Sequence, residues 1–349
     1  MKKIIITGIL GQDGANMAEY LLSLCDEFGL EEHDYEIYGM MRRSANPNLK
    51  NIEKIKNHPR FNLQFLDLGD SASIDTAVKE IQPDYFINFA ANSFVGISWK
   101  MPEQVMDVNA LGVLRCLEGI RKFKPDCRFY SAGSSEEWGN VDYSPQDIAH
   151  PIKPRSPYGA SKAAARHLVK VYRESYGLYA VHGILLNHEG TKRGEEFVTR
   201  KISKGVARIK NSIDNNQAVA PIELGNLDAK RDWSDSIDFV EGVWLMLNQN
   251  SPKDYILSSG EAHSVREFVE KAFAVAGING FWHGEGLDEV FKTDQQTLLK
   301  INPKFYRPAE VDLLLGDSTP IREELGWKPK ISFDKLVESM VLYDIENHA

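Results

Sequence analysis

Tyr158 and Lys162 are the residues whose types and spacing most directly suggest chemistry. They lie four positions apart in a segment with helical periodicity, so their side chains share one face of a helix. A neighbouring ammonium group lowers the pKa of a phenol, and the tyrosinate could take a proton from a hydroxyl while hydride leaves the same carbon. Ser134 or Ser135, which follow a predicted strand, would complete the hydrogen bonds to that hydroxyl. The alternative is an ordinary pair on an exposed helix face.

Three glycines near the start of the chain suggest a site for a dinucleotide. Gly8, Gly11 and Gly14 have GxxGxxG spacing, directly after the first predicted strand and at the start of the first predicted helix. Without Cβ atoms they allow a tight turn, and a pyrophosphate can approach the helix N-terminus, whose free N–H groups favour negative charge. The alternative is a glycine-rich turn that binds no ligand.

The end of the second predicted strand indicates which dinucleotide binds. NAD enzymes usually present Asp or Glu to the ribose there, whereas this strand runs into Arg42, Arg43 and Ser44. Two guanidinium groups suit a 2′-phosphate, so we expect NADP. The alternative is a basic surface loop that continues to Arg60. Residues after the third and fourth strands are expected to contact adenine and ribose: Asp67, Leu68, Ala90 and Ala91.

The elements that must position these residues are short apolar strands alternating with amphipathic helices. This order predicts βαβ units and a parallel sheet, hence an α/β fold with a doubly wound sheet of Rossmann type. The predicted strands are Ile4–Thr7, Glu36–Met40, Asn62–Leu66, Tyr85–Phe89, Arg128–Ser131 and Val181–Leu186. The predicted helices of this half are Ala15–Cys25, Ser73–Ile81, Pro102–Phe123 and Tyr158–Tyr176.

The second half of the chain predicts a smaller, discontinuous substrate-binding lobe. After about Asn187, connections rich in Gly, Asn and Pro join a few helices, of which Ser264–Ala276 and Phe333–Glu346 are the clearest. We place an NADP-binding domain at residues 1–186 and a predominantly substrate-binding lobe at 187–349. Residues 224–260 or so are expected to complete part of the sheet.

Composition excludes several classes of partner. The 349 residues include 41 Lys and Arg against 50 Asp and Glu, a net charge of −9, which argues against nucleic-acid or anionic-membrane binding. No apolar stretch has the length of a membrane helix. The odd, widely spaced cysteines indicate neither disulfides nor a zinc site, so we expect a cytoplasmic protein. His188 and Glu189 could begin an HExxH motif, but Lys192 replaces its second histidine, so no metal is expected.

Joined together, the glycine and Tyr-x-x-x-Lys motifs resemble those of the extended short-chain dehydrogenase/reductase family, over almost the whole chain. Residues Gly133 to Gly139 are similar to the dehydratase pattern Ser-Thr-Ser-Glu-Leu-Tyr-Gly, which places Glu136 where dehydratases keep a catalytic carboxylate. Further segments resemble the GDP-mannose 4,6-dehydratases of that family: TGILGQDG from Thr7, RSPYGASK from Arg155, LLNHEGTKRGEEFVTRKIS from Leu185, LGNLDAKRDW from Leu224 and YRPAEVDLLLGD from Tyr306.

This resemblance implies a lyase that converts GDP-D-mannose to GDP-4-dehydro-6-deoxy-D-mannose and water, as in GDP-fucose biosynthesis. It implies that Tyr158 removes the proton of the 4-hydroxyl while C4 gives its hydride to NADP⁺. It also implies that Glu136 removes the proton of C5. Glu136 with Ser134 would protonate the departing 6-hydroxyl, and the hydride would return to C6. The implied catalytic residues are Ser134, Glu136, Tyr158 and Lys162.

The resemblance also implies which residues bind the two ligands. The cofactor set is Gly8, Gly11, Gln12, Asp13, Gly14, Arg42, Asp67, Leu68, Ala90, Ser93, Tyr158, Lys162, His188 and Arg193. The GDP-sugar set is Asn187, Glu189, Phe197, Val198, Lys201, Gly225, Arg231, Arg307 and Glu310. Within it Lys201, Arg231 and Arg307 are expected to meet the diphosphate, whereas core packing is the alternative for Phe197 and Val198.

An oligomer is implied as well. The family commonly dimerises through two long helices, here Pro102–Phe123 and Tyr158–Tyr176. The basic loop from Arg42 to Arg60, with Lys192 and Arg193, is similar to the region that joins dimers into tetramers. We therefore expect a homodimer or homotetramer, and a purely solvated loop is the alternative.

The chain departs from the family pattern near the expected site. Four residues of the Gly133–Gly139 segment differ, because Gly133, Ser134, Glu137 and Trp138 replace Ser, Thr, Leu and Tyr. Asn92-Ser93-Phe94 replaces Gln-Ser-His, and Thr191-Lys192-Arg193 replaces Pro-Arg-Arg. The alternatives are a dehydratase of another GDP-sugar such as a GDP-heptose, an epimerase or decarboxylase, and a catalytically silent NADP-binding regulatory protein.

Overall fold

The computed structural model describes residues 1–28, 33–306, 309, 311 and 313–348. Its first half alternates strands and helices. These elements are β1 (Lys2–Thr7), α1 (Gln12–Phe28), β2 (Tyr35–Met41), β3 (Phe61–Phe65), α2 (Ser71–Ile81), β4 (Tyr85–Asn88), α3 (Val95–Ser98), α4 (Pro102–Met106), α5 (Gly112–Phe123), β5 (Arg128–Ala132), α6 (Pro157–Tyr176) and β6 (Ala180–Leu185). A 3₁₀-helix at Ser135–Glu137 follows β5, and a π-helix at Asp107–Leu111 joins α4 to α5.

The second half has shorter strands between its helices. Its elements are β7 (Asn187–Glu189), α7 (Val198–Asp214), β8 (Ile222–Leu224), β9 (Lys230–Arg231), β10 (Trp233–Asp235), α8 (Ser236–Leu247), β11 (Tyr255–Leu257), β12 (His263–Ser264), α9 (Val265–Val275), β13 (Phe281–His283), β14 (Val290–Lys292), β15 (Thr297–Ile301), β16 (Leu313–Leu314), α10 (Thr319–Leu325) and α11 (Phe333–His348). No helix of the described residues is long and apolar enough to cross a membrane.

Seven parallel strands form the central sheet, in the order β11-β6-β5-β4-β1-β2-β3. The chain winds outward from β1 through β2 to β3, then returns to β4 on the other side of β1. This reversal is the switch point at which doubly wound sheets bind ligands, outside the carboxyl ends of the strands. The predicted fold class is confirmed.

The residues of β1 form a continuous apolar run in the sequence, and the structure explains it. Ile4, Ile5 and Ile6 are all fully buried, because helices cover both faces of the sheet. Ile4 and Ile6 pack into the core shared with α1 and α8, whereas Ile5 packs into the core shared with α2 and α5. The buried strand therefore fixes the position in the sheet at which the glycine turn begins after Thr7.

A second core lies within the later part of the chain. There α7, α9 and α11 pack around Trp233, Phe268 and Leu336, beside the mixed sheet β13-β14-β15-β8. The boundary between the two predicted domains, at residues 186 and 187, stays a prediction.

The helices differ from the predicted ones in two respects. The predicted helix Pro102–Phe123 contains a π-helix at Asp107–Leu111. Its hydrogen bonds join residues five apart instead of four, and the apolar pattern of the sequence does not specify this change. In the later half, the predictions do not single out α7, with 17 residues, or α8, with 12, although the two helices that they mark most clearly, α9 and α11, have 11 and 16. α7 has a plain amphipathic pattern that the predictions did not use, since Ile202, Val206 and Ile209 are buried at four- and three-residue spacing. α8 is apolar on most of its surface and has no such pattern.

Candidate active site

A cleft of about 1390 Å³ opens at the carboxyl ends of the parallel strands. Its walls include Thr7, Met41, Ala132 and Leu185, which lie at the ends of four strands of the central sheet. All predicted site residues that the structure describes line this cleft: Gly8, Gly11, Gln12, Asp13, Gly14, Arg42, Asp67, Leu68, Ala90, Ser93, Ser134, Glu136, Tyr158, Lys162, Asn187, His188, Glu189, Arg193, Phe197, Val198, Lys201, Gly225 and Arg231. Arg307 and Glu310 lie outside the described residues.

The glycine turn forms a cradle that side chains would fill. Gly8 has a φ of +69°, and a Cβ atom there would lie 2.8 Å from the Ala90 nitrogen. A Cβ atom on Gly14 would lie 2.4 Å from the Gly8 carbonyl oxygen. The backbone of β1 and the N-terminus of α1 therefore approach each other as closely as a pyrophosphate site requires, and the residues fit a dinucleotide.

Asp13 and His188 connect the first turn of α1 to β7. Asp13 Oδ2 lies 3.0 Å from His188 Nε2, and Gln12 donates a hydrogen bond to the His188 carbonyl oxygen at 3.1 Å. Burial alone would raise the pKa of Asp13, but the charge and hydrogen bond of His188 lower it below its ordinary value. The same pair raises the pKa of His188 against the effect of burial. The contact therefore fixes the glycine turn against the strand that leads into the second half.

The far end of the glycine turn is basic. Between Met40 and Asn51 the cleft is lined by Arg42 and Lys50 and by no carboxylate. Asn51 donates hydrogen bonds to the carbonyl oxygens of Leu10 at 3.0 Å and Lys192 at 3.2 Å, which connects this loop to the turn. Of the two arginines expected to bind the 2′-phosphate, Arg42 lines the cleft and Arg43 does not.

A tight 3₁₀ turn after β5 positions Ser134 and Glu136. Ser134 is its N-cap: the hydroxyl accepts a hydrogen bond from the Glu136 amide at 3.2 Å, and the Ser134 amide donates to Glu137 Oε1 at 2.8 Å. Short polar residues favour such caps because their oxygens bind otherwise unpaired amides. The Ser134 hydroxyl is also hydrogen-bonded to Tyr158. The turn thus places the predicted serine, carboxylate and phenol in one group.

The first turns of α6 carry Tyr158 and Lys162. Ser156 caps the helix by accepting from the Gly159 amide at 3.0 Å, and Pro157 occupies its first position. Tyr158 is 7% exposed and Lys162 is 6% exposed, which rules out the alternative of an exposed helix pair. Lys162 Nζ donates to the Ala132 carbonyl oxygen at 2.6 Å and lies 5.9 Å from the centre of the Tyr158 ring.

Burial dominates the ionisation of both side chains. It raises the pKa of Tyr158 to about 12, although the hydrogen bond with Ser134 acts in the opposite direction. It lowers the pKa of Lys162 to about 8, despite the charges of Glu137 and Asp13. The predicted decrease in the pKa of the phenol is therefore wrong, because the loss of hydration outweighs the interactions that favour the tyrosinate.

Cationic side chains lie at the opposite end of the cleft. Arg231, on β9, is 6% exposed, and Lys201, on α7, has its ammonium 3.2 Å from the centre of the Phe305 ring. Burial lowers the pKa of Lys201, against the charge of Glu223. A Cβ atom on Gly225 would lie 2.7 Å from the Phe305 carbonyl oxygen, so the loop before β9 packs closely on the Phe305 backbone.

Three side chains predicted to bind a ligand contact other side chains of the protein instead: Glu189, Arg193 and Phe197. Glu189 accepts a hydrogen bond from Thr199 at 2.5 Å and pairs with Arg193 at 2.9 Å. The Arg193 guanidinium lies 3.5 Å from the centre of the Phe197 ring, which also meets Phe94 edge to face. These side chains form one connected wall between the two ends of the cleft.

Sequence reasoning missed several residues at the site. Arg200 lines the cleft beside Lys201 and pairs with Asp344 of α11 at 2.7 Å. Phe305 and Tyr306 line it as well and are about half exposed. The only available signal was their position next to the predicted residues Lys201 and Arg307.

The comparisons with known proteins agree with this geometry. The profile of the family described as GDP-mannose 4,6 dehydratase matches residues 5–340. The GDP-mannose 4,6 dehydratase of Drosophila melanogaster is 42% identical over 355 residues, covering 99% of this chain and 86% of the relative. The human GDP-mannose 4,6 dehydratase is 42% identical over 352 residues, covering 98% and 91%.

A solved structure has the same fold at much lower identity. The dTDP-glucose 4,6-dehydratase of Bacillus anthracis, in complex with NAD, matches with a TM-score of 0.80 at 20% identity, covering 100% of this chain and 98% of that one. The profile and the relatives, rather than this fold match, establish the family. The predicted family is confirmed: the chain belongs to the GDP-mannose 4,6-dehydratase family.

Proposed function

We propose that this protein is an NADP-dependent GDP-mannose 4,6-dehydratase, a lyase that forms GDP-4-dehydro-6-deoxy-D-mannose and water from GDP-D-mannose. One observation supports it most: Tyr158 is hydrogen-bonded to Ser134 in the turn that carries Glu136. A tyrosine that can remove the hydroxyl proton and a carboxylate that can remove a second proton are thereby side by side. The names of the relatives at 42% identity agree with this substrate and reaction.

The glycine turn and the basic loop after β2 would hold the cofactor. When bound, NADP⁺ would accept a hydride from C4 of the hexose and return it to C6. The amides at the N-terminus of α1 would bind the pyrophosphate, and Arg42 would pair with the 2′-phosphate. The absence of a carboxylate between Met40 and Asn51 favours NADP over NAD, since none repels that phosphate.

Tyr158 would take the proton of the 4-hydroxyl. Its phenol is protonated at neutral pH, with a pKa of about 12, so it would first pass its own proton to the open cleft by way of the Ser134 hydroxyl. The ammonium of Lys162 favours the tyrosinate, and at pH 7 Lys162 is mostly charged because its pKa is about 8. The Ser134 hydroxyl, hydrogen-bonded to the phenol, would orient the substrate hydroxyl and pass protons to or from Tyr158.

Glu136 would carry out the elimination. A ketone at C4 acidifies the C5 hydrogen, and the carboxylate of Glu136 would remove that proton and deliver it to the departing 6-hydroxyl. As the hydride adds to C6, C5 would regain a proton, which balances the one that Tyr158 took from the 4-hydroxyl. Glu136 is buried, 8% exposed, in the same 3₁₀ turn as Ser134. Limited contact with water keeps the eliminated proton available to the leaving group.

The GDP part of the substrate would bind between β9 and α7. An acidic protein needs local cations to hold a diphosphate, and Arg231 and Lys201 supply them at this end of the cleft. A phosphate near Lys201 would offset the effect of burial on its pKa. We further propose that Asn187, Val198 and Arg307 contact the sugar or nucleotide and that residues 187–349 form most of this lobe.

We propose a cytoplasmic homodimer or homotetramer. The helices α5 and α6 pack together, and exposed apolar side chains lie on α6 and on the π-helix that precedes α5: Leu111, Val171 and Tyr176. All three cysteines are buried and unpaired, which suits a reducing compartment.

Mass spectrometry of purified protein incubated with GDP-mannose and NADP tests the function. The expected product is lighter by one water, and Tyr158→Phe should not form it. An unchanged mass with a new sugar configuration would indicate an epimerase, and loss of carbon dioxide a decarboxylase. Turnover of a GDP-heptose but not of GDP-mannose would overturn the substrate, and no turnover of any GDP-sugar would overturn the enzyme.

A further inference from the structure

Glu137 is a fully buried carboxylate in the turn that carries Glu136, yet the mechanism above gives it no part. Its Oε1 atom accepts the Ser134 amide at 2.8 Å and lies 2.9 Å from Nε2 of His182, which is also fully buried. Burial alone would raise the pKa of Glu137, but the charge and hydrogen bond of His182 bring it below its ordinary value. Glu137 is therefore an ionised group within the protein interior.

The contact with Ser134 connects Glu137 to the reacting groups. Ser134 binds Glu137 through its amide, while its hydroxyl is hydrogen-bonded to Tyr158 and accepts from the Glu136 amide at 3.2 Å. Any movement of the Ser134 backbone would therefore displace the hydroxyl that orients Tyr158 and the turn that carries Glu136. Glu137 does not line the cleft. Its charge acts to raise the pKa of Tyr158 and of Lys162, but its hydrogen bond into this group of residues is the one that it accepts from the Ser134 amide.

Gly133 makes room for this contact. A Cβ atom on Gly133 would lie 2.3 Å from His182 Nε2 and 2.7 Å from the Gly183 carbonyl oxygen. No side chain tolerates such a distance, so any residue other than glycine would push the imidazole off Glu137. The dehydratase pattern has Ser at this position and Leu at the position of Glu137. The two departures therefore belong together, and His182 is the residue that joins them.

His182 is itself held by the sheet. It lies on β6 opposite Ser131 of β5, and its amide donates to Asp254 Oδ1 at 2.8 Å. Asp254 in turn pairs with Arg173 of α6 at 2.6 Å. The other carboxylate oxygen of Glu137 faces the Arg166 guanidinium at 4.0 Å. The imidazole thus has a fixed backbone position from which to hold Glu137.

We propose that Glu137, held by His182 in the space that Gly133 leaves, is a positioning residue that fixes the Ser134 amide and, through it, the Ser134 hydroxyl against Tyr158. Its effect on turnover rests on the proposed function, but its effect on Ser134 does not. The arrangement places a buried polar contact at a position where the family pattern has leucine.

Hydrogen exchange of the Ser134 amide, followed by NMR, measures the positioning without any substrate. Glu137→Leu and His182→Ala should each speed that exchange by about tenfold or more, the factor expected for a lost buried hydrogen bond. His182→Gln keeps an N–H donor and should restore part of the protection. Glu267→Leu is the matched control, since Glu267 makes the same capping contact with Ser264 at the start of α9. It should leave Ser134 unchanged.

Steady-state kinetics with GDP-mannose give the second readout. Glu137→Leu should lower kcat by about tenfold or more while KM changes by less than about threefold, because Ser134 acts on the reacting hydroxyl. Gly133→Ala should lower kcat at least as much as His182→Ala, since both release Glu137 and the added Cβ atom also meets the Gly183 carbonyl oxygen.

Each result has one interpretation. Ser134 exchange in Glu137→Leu that equals the wild-type rate would overturn the positioning role. If the wild type does not turn over GDP-mannose, the proposed function fails, and the exchange measurement still decides the role of Glu137. If Glu137→Leu does not fold, His182→Ala provides the same comparison, with His182→Gln as the conservative variant.

Discussion

Asp13 and His188 form an ion pair whose Oδ2 and Nε2 atoms are 3.0 Å apart, although 175 residues separate them in the sequence. The other ring nitrogen of His188 lies 2.8 Å from the Leu186 carbonyl oxygen, so both nitrogens face acceptors. An imidazole in that position is favoured in its doubly protonated form. The pair therefore holds the glycine turn to β7 by a charge that depends on pH.

The stability of the protein should follow that charge. The pKa of His188 is raised above 6.5, so its contribution is complete below 6.5 and is lost as pH rises through the folded value. The pKa of Asp13 is lowered below 3.8, so its contribution is present above 3.8 and is lost as pH falls through the folded value. His188→Ala should lower the melting temperature most between these limits and less at higher pH. Thermal melts across pH check this, with exposed His283→Ala as control. A loss that grows above pH 7 would contradict it.

The buried charge of Lys162 should lower the free energy of unfolding of the protein. Burial lowers its pKa from 10.5 to about 8, so below pH 8 the folded state bears the cost of a buried charge. Lys162→Met should therefore stabilise the protein at pH 7 by about 1–3 kcal/mol, after the lost hydrogen bond to Ala132 is allowed for. The gain should shrink as pH rises from 8 towards 10.5, and the variant should have lost activity.

Thermal melts of Lys162→Met and the wild type at pH 7 and pH 10 measure this. Lys170→Met, an exposed lysine on the same helix, is the control and should show no such trend. If Lys162→Met melts at a lower temperature than the wild type at pH 7, the buried ammonium does not destabilise the folded state.

Arg42 should determine the choice between NADP and NAD. Arg42→Ala should raise the Kd for NADP by about 10–100-fold, the effect of losing one charge-assisted contact with the 2′-phosphate. The Kd for NAD should change by less than about twofold. Isothermal titration with both dinucleotides measures the difference, and Arg43→Ala, a neighbouring residue that does not line the cleft, is the matched control. Equal losses for both cofactors would assign the preference elsewhere.

Glu136 should be needed for elimination and not for oxidation. Glu136→Gln keeps the size of the side chain, so binding of NADP and GDP-mannose should stay within about threefold, while product formation falls by about 10²–10⁴-fold. In deuterated water the C5 hydrogen of the substrate should not exchange in this variant. Glu174→Gln, on the exposed side of α6, is the control. Rapid C5 exchange in Glu136→Gln would assign the base to another residue.

The sequence predicted the sheet and the cleft well because local patterns encode them. Six strands lie within a residue or two of their predicted bounds, since a parallel strand buried on both faces is a continuous apolar run such as Ile4–Ile6. The glycine turn and the Tyr158–Lys162 pair were recognisable because their spacing is itself the geometric requirement. The residues that follow each strand then had to meet at one edge.

Features that depend on distant partners could not be predicted in this way. Two adjacent carboxylates were visible at Glu136 and Glu137, but the sequence did not show that one turns into the interior to meet His182 on another strand. The ionisation of Tyr158 was predicted with the wrong sign for the same reason, since burial is a property of the whole fold. The short antiparallel strands β13 to β15 have no long periodic pattern from which they could be recognised.

The central claim is that this cleft moves a hydride from C4 to C6 of a single GDP-hexose. GDP-mannose carrying deuterium at C4, incubated with the protein and NADP in ordinary water, tests it most directly. We predict a product lighter by one water that retains the deuterium, now at C6. Deuterium that is lost to the solvent, or that stays at C4 in an unoxidised product, would contradict the account.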